Sequence, residues 1–187
     1  MRWVRGSLLV VLFQSLMVTA SGGSGELRKQ QPEYPLKAAY LYNFTKFVNW
    51  PDETFGADDA PLNICIKGPM PDSGIISKLN SQTTRGHPLR ILSVNGGPVD
   101  ECHLLYFRQM AQREVHQTLQ KIQDRPVLTV GEYRGFARED GIIEFEITDS
   151  QRIKLIINQV RAKDLRITIS AQLLEIASVL EGSAAGE

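Results

Sequence analysis

The chain has 187 residues, of which 42% are hydrophobic and 22% charged, with a formal net charge of zero. That balance excludes the surplus of Lys and Arg that a broad nucleic-acid footprint requires, so no nucleic-acid partner is expected. The length suits one domain with a real core.

Residues 1–20 have the three parts of a secretory signal: Arg2 and Arg5, the apolar run "SLLVVLFQSLMV", and the small-residue triplet "VTA" ending at Ala20. The alternative is an uncleaved anchor, but the run is shorter than the roughly 20 residues that span a bilayer. Cleavage after Ala20 is therefore expected, leaving a product that is not membrane-inserted. Residues 21–33, "SGGSGELRKQQPE", read as a flexible leader, and 34–187 as one α/β domain.

The domain opens with "YPLKAAYLYNFTKFVNWP", which carries Tyr34, Tyr40, Tyr42, Phe44, Phe47 and Trp50. Leu36, Tyr40, Phe44, Phe47 and Val48 recur at helical spacing, and Pro51 ends the pattern. Lys37 and Lys46 fall off the centre of that stripe and are too few for a membrane-surface helix. "NFT" at Asn43 matches a glycosylation triplet, but it sits on a helix face and not in a surface loop. The segment reads as a core helix.

"LNICIKG" follows as a short buried strand, and "SGIISKLN" as a helix capped by Ser73. "HPLRILSV" and "CHLLYF" are the next strands, the second apolar almost throughout, as in a strand covered on both faces. "QMAQREVHQTLQKIQD" has helical periodicity through Met110, Val115, Leu119 and Ile122, and "PVLTVG" is another buried strand. "GIIEFEITDSQRIKLIIN" reads as an antiparallel hairpin around a polar turn. "QVRAKDLRI" begins as a short helix, and "SAQLLEIASVLEG" reads as a terminal helix bearing Leu173, Leu174, Ile176, Ala177 and Leu180. The order implies a single α/β domain: a mixed sheet, helices on both faces, and a C-terminal hairpin.

Catalytic signatures are scarce: the chain has no Walker loop, GxGxxG, GxSxG, HExxH or CxxC. Cys102 and His103 are neighbours on a strand and point to opposite faces, so they are poorly placed to share a metal, and neither metal nor cofactor is expected. Glu144 and Glu146 share one strand face and read as its solvated side. Cys65 and Cys102 are the only cysteines, and in an exported chain they form either a disulfide or, less in keeping with an oxidising compartment, two buried thiols. "TVGEYRGF" follows a strand, where open α/β sheets gather ligands. Gly131 and Gly135 would let the backbone approach a bound group, with Glu132 between them, or would simply turn the chain.

In order along the chain, "LKAAYLYNFTKFVNWP", "LNICIKG", "GHPLRIL", "CHLLYF", "PVLTVGEYRGFA", "GIIEFEI" and "ISAQLLEIASVL" together resemble the YfiR-type family of bacterial periplasmic proteins. The resemblance implies a compact α/β domain exported to the periplasm. It implies a non-enzymatic repressor that binds the periplasmic part of an inner-membrane diguanylate cyclase, lowers cyclic-di-GMP and restrains biofilm formation, and that tends to form a homodimer. Cys65 and Cys102 match a family disulfide, whereas a second family pair has no counterpart between Glu139 and Glu146. Phe145 matches the aromatic of a Gly-x-x-x-Phe strand. Asn158 matches the asparagine of a Phe-Glu-Ile-Asn stretch that here reads "LIIN", with Ile156 in place of the glutamate. Leu155, Ile156 and Ile157 are consecutive apolar residues, either buried on both sides or forming an exposed patch. On the second alternative Phe145, Ile156 and Asn158 help bind the membrane sensor, a diguanylate cyclase before other sensors such as histidine kinases, or a second copy. The competing reading is a small-molecule binder or enzyme using Gly131, Glu132 and Gly135.

Overall fold

The computed structural model describes residues 33–57, 59–150 and 152–180. The signal, its cut at Ala20 and the leader lie outside them, except that Glu33 already begins the first helix. No helix among the described residues is long and apolar enough to cross a membrane.

Ten strands and five helices run in the order α1 (Glu33–Phe47), β1 (Val48–Asn49), β2 (Leu62–Lys67), α2 (Ser73–Asn80), β3 (Thr83–Thr84), β4 (His87–Ser93), β5 (Leu104–Phe107), α3 (Gln112–Lys121), β6 (Leu128–Gly131), β7 (Ile143–Ile147), β8 (Ile153–Asn158), α4 (Gln159–Asp164), β9 (Thr168–Ile169), α5 (Ala171–Glu175) and β10 (Ser178–Leu180). Eight strands form one sheet in the order β10-β8-β7-β6-β5-β2-β4-β3, and β1 pairs with β9 as a separate ribbon. β4, β2, β5, β6 and β7 are mutually parallel. β8 turns back antiparallel to β7 as the expected hairpin, with Phe145 opposite Leu155 and Glu144 opposite Ile156. This is the mixed α/β sheet expected from the sequence.

Alternation along the parallel strands feeds two cores, since successive side chains leave opposite faces of a sheet. Ile64, Ile66, Leu104, Tyr106, Leu128, Val130, Ile143 and Phe145 point to the side of α1 and α2. Cys65, Leu105 and Phe107 point to the side of α3, where Val115, Leu119 and Phe136 meet them. Both faces are covered, which is why β5 reads as an unbroken apolar run.

Four local expectations are corrected. Helix α1 buries Lys37, Ala38, Leu41, Phe44 and Thr45, and Val48 of β1 is buried after it, while Leu36 is exposed and Tyr40 and Phe47 are half-buried. The buried face is thus rotated toward Ala38 and Leu41 and carries a lysine. Helix α2 is capped by Asp72, whose Oδ1 accepts from Gly74 N at 2.7 Å, so Ser73 is its first residue and not its cap. The terminal helix stops at Glu175. Ser178–Leu180 is instead a strand that pairs in parallel with β8, placing Ser178 beside Ile156. Glu144 is buried and not solvated. Its two oxygens accept from Gly135 N and Ala137 N, both at 3.1 Å, and hold the Phe136–Arg138 turn against the sheet.

Candidate functional site

The carboxyl ends of the parallel strands are where an open α/β sheet leaves a crevice, and here the chain fills it with its own groups. Glu132, directly after β6, receives three donors on its carboxylate. Lys37 Nζ from α1 lies 2.7 Å from Oε1, the Tyr106 hydroxyl from β5 donates to the same oxygen, and Gln109 N donates to Oε2 at 3.0 Å. Lys37 is only 5% exposed, so its charge is matched by a carboxylate at close range. Gln109 takes a left-handed backbone (φ 48°) to bring its N–H to that position.

The neighbouring loops close the same edge. Gly68, after β2, has φ 116°, and a β-carbon there would overlap the Arg108 carbonyl, so only glycine lets the two loops touch. The Arg108 guanidinium donates to the carbonyls of Pro69 and Met70 and lies 3.5 Å from the centre of the Tyr34 ring. The first turn of α1 is therefore fixed over the strand ends through both Tyr34 and Lys37.

The glycines of the expected ligand loop have internal tasks. A methyl group at Gly131 or at Gly141 would run into the Phe136 ring, so that ring occupies the space both glycines leave. Gly135 has φ 97° and starts the Phe136–Arg138 turn. Beside it, Tyr133 donates to Glu139 Oε2 at 3.1 Å, and His116 Nε2 lies 2.9 Å from the same oxygen. Burial first, then the Glu139 carboxylate, pushes the Tyr133 hydroxyl well above the usual phenol range.

Phe145 is 1% exposed and Ile156 8%, so of the two explanations for the apolar hairpin the structure has burial. Phe145 stacks on Phe44 at 5.9 Å, meets Tyr40 at 5.8 Å and takes the edge of Tyr106 at 6.0 Å, with Lys37 Nζ 6.0 Å above its ring. Asn158 caps α4 by accepting from Arg161 N at 2.9 Å and donates to the Ala137 carbonyl at 2.8 Å. Phe145 and Ile156 are correspondingly removed from the surface, and Asn158 is half-buried. Among the described residues the exposed large apolar groups are Ile147 at the end of β7 (41%), Ile176 before β10 (67%), Leu36 of α1 (47%) and Val160 of α4 (43%). On the hairpin itself the Lys154 ammonium is 3.4 Å from Glu146.

Cys65 and Cys102 are joined, with Cα atoms 5.6 Å apart, linking β2 to the segment that enters β5. Among the described residues no group of three His, Cys, Asp or Glu side chains is placed to hold a metal ion. The sequence reading missed Lys37, Tyr106 and Glu144. Their one visible signal is polarity inside apolar runs, and the Lys37–Glu132 pair spans 95 residues with no local cue.

No individual curated protein matches the chain. A family described as YfiR/HmsC-like matches residues 34–178, from the first turn of α1 to the start of β10. The chain belongs to the YfiR/HmsC-like family.

Proposed function

We propose that the chain is a periplasmic, non-catalytic regulator that binds the periplasmic sensor domain of an inner-membrane signalling protein, a diguanylate cyclase above all, and holds it inactive. Membership of the YfiR/HmsC-like family, one of periplasmic regulators of diguanylate cyclases, is the observation that carries this reading. Export through a signal peptide cut after Ala20 puts the domain in the compartment where such a sensor is reachable. The strand-end crevice supports protein contact over small-molecule binding at Gly131–Gly135. Phe136 fills the space beside Gly131, and Glu132 is held by three internal donors.

The mechanism is linkage. A soluble partner with higher affinity for one sensor conformation shifts the population across the membrane by that difference and no more. The contact surface is assigned to Ile147, exposed at the turn end of the hairpin, and to Ile176, exposed in the turn before β10. Phe145, Ile156 and Asn158 serve that surface from within, by fixing β7, β8 and α4. The homodimer is a separate proposal, checked by light scattering of the purified protein.

The test is recovery of tagged full-length protein from its own membranes. A membrane sensor is expected to come with it, and expressing the two together is expected to lower cyclic-di-GMP relative to the sensor alone. Unchanged cyclic-di-GMP with a sensor that binds would remove the repressor role. Failure to recover any membrane protein would remove the regulator reading itself.

A further inference from the structure

At the opposite, amino edge of the parallel strands two histidines enclose one phenylalanine. β4 begins at His87, His103 directly precedes β5, and β2 runs between those strands. Phe55, from the turn after β1, lies between the imidazoles. Its ring is 4.1 Å from His87 and 4.7 Å from His103, both at an interplanar angle of 14°. This near-parallel stack holds the 52–57 turn on the sheet edge. Thr54 N and Phe55 N close that turn by donating to the carbonyls of Pro51 and Asp52.

Hydrogen bonds set the protonation each ring can accept. Asn63 N donates to His103 Nδ1 at 3.0 Å, so that nitrogen must be bare. His103 as a residue is 8% exposed, and its side chain also bonds to the Thr54 backbone. A second proton on His103 would set N–H against N–H, and the ring would have to leave Asn63 and with it the stack. His87 differs. Its Nδ1 lies 2.7 Å from the Ala60 carbonyl and carries a proton in either charge state, so charging that ring breaks no bond.

The charged surroundings do little to compensate a charge on His103. Asp100 and Glu101 line its open side, and Asp100 is taken by Arg125 at 2.8 Å. The turn that carries Phe55 adds Asp52 and Glu53, both exposed, with Glu53 paired to Arg166. β4 contributes His87, whose charge would oppose a second one, and the exposed Arg90, level with Asn63 and of the same sign. The residue before His103 is Cys102, bonded to Cys65 of β2, so the sheet beneath is fastened covalently while the turn is not.

We propose that the His87–Phe55–His103 stack is an acid-sensitive clamp: charging His103 releases Phe55 and the 52–57 turn from the sheet edge while the sheet stays folded. The clamp stands on its own geometry. Only its setting, an exported protein exposed to the acidity outside the cytoplasm, rests on the function proposed above.

Hydrogen exchange of the full-length protein tests it, at about pH 7.5 and about pH 5 with intrinsic rates corrected, a range that brackets imidazole titration. Amides of 52–57 are expected to lose protection about tenfold or more in acid, while 104–107 and 128–131 keep theirs. His103→Gln offers Asn63 an acceptor that cannot charge in this range and is expected to abolish the difference, whereas His87→Gln retains it. Equal protection of 52–57 at both pH values overturns the clamp. So does an acid loss spread evenly over β5 and β6, or a difference that vanishes in His87→Gln and survives in His103→Gln. Should His103→Gln fail to fold, imidazole titration of the unaltered protein by NMR decides. An opening midpoint that coincides with that of His103 supports the clamp, and one that coincides with any other group overturns it.

Discussion

Phe145 meets the rings of Tyr40, Phe44 and Tyr106 and lies under the Lys37 ammonium, so one side chain joins α1 to two strands. Truncating a buried aromatic removes its transfer energy and leaves a cavity. Phe145→Ala and Phe44→Ala are each expected to destabilise the fold by about 3–5 kcal/mol, read as a shifted denaturation midpoint. Glu132→Ala takes away the carboxylate that Lys37, Tyr106 and Gln109 share, and is expected to cost about 3 kcal/mol, the lower end for breaking a buried ion pair. His103 gives the residue scale its pH dependence. Burial, ahead of the opposing bond to Thr54, holds its folded pKa below the usual imidazole value. The unfolded chain therefore binds a proton that the folded chain refuses. Stability is full above about pH 6.5 and falls as pH descends from there toward the lower folded value. Denaturation midpoints across that window should show the slope, and His103→Gln should flatten it.

Elements were legible in the sequence wherever the signal was local. β2, β4, β5, β6 and the β7–β8 hairpin stand where apolar runs and turn residues put them, because each run is short and closed by Gly, Pro or a polar turn. Helix α1 was legible as an element but not in orientation. The helical spacing of apolar residues favoured Leu36 and Tyr40, whereas the buried face includes Lys37, which finds Glu132 far along the chain. The terminal segment failed for a different reason. Short apolar runs do not separate helix from strand, and Ser178–Leu180 is a strand because the edge of β8 is free to pair with it. Two-residue strands such as β1 and β9 carry no periodicity at all. The disulfide belongs to this scale, since it ties two strands across a sequence separation of 37. Closing a loop of that length stabilises by about 4 kcal/mol in the chain-entropy model. Reductant should lower the denaturation midpoint accordingly, and thiol titration of the denatured protein should find two groups only after reduction.

On the scale of the molecule, the sheet is covered on both faces and its carboxyl edge is closed by α1, while Leu36, Ile147, Val160 and Ile176 keep large apolar side chains in solvent. β10 ends the sheet among the described residues, and Ile176 lies in the turn between α5 and β10. Lys154 is opposite Glu146, the residue before Ile147. An isolated exposed isoleucine is ordinary, and Ile147 and Ile176 are put forward as contact residues because each is a large apolar side chain left in solvent, one at the end of β7 and the other shortly before β10. The sensor domain is the occupant this surface is assigned. Ile147→Glu and Ile176→Glu each alter a solvent-facing group and are expected to melt within about 0.5 kcal/mol of the parent, as surface substitutions do. Both are expected to lose the membrane sensor on affinity recovery, because a carboxylate placed in an apolar contact must be desolvated without a partner. Phe145→Ser should behave in the reverse order, losing the fold first and the sensor only as a consequence. If the glutamate variants keep the sensor but change from dimer to monomer by light scattering, the surface belongs to a second copy of this chain. If they keep both, the hairpin end is neither interface, and the contact must be sought on another face of the domain.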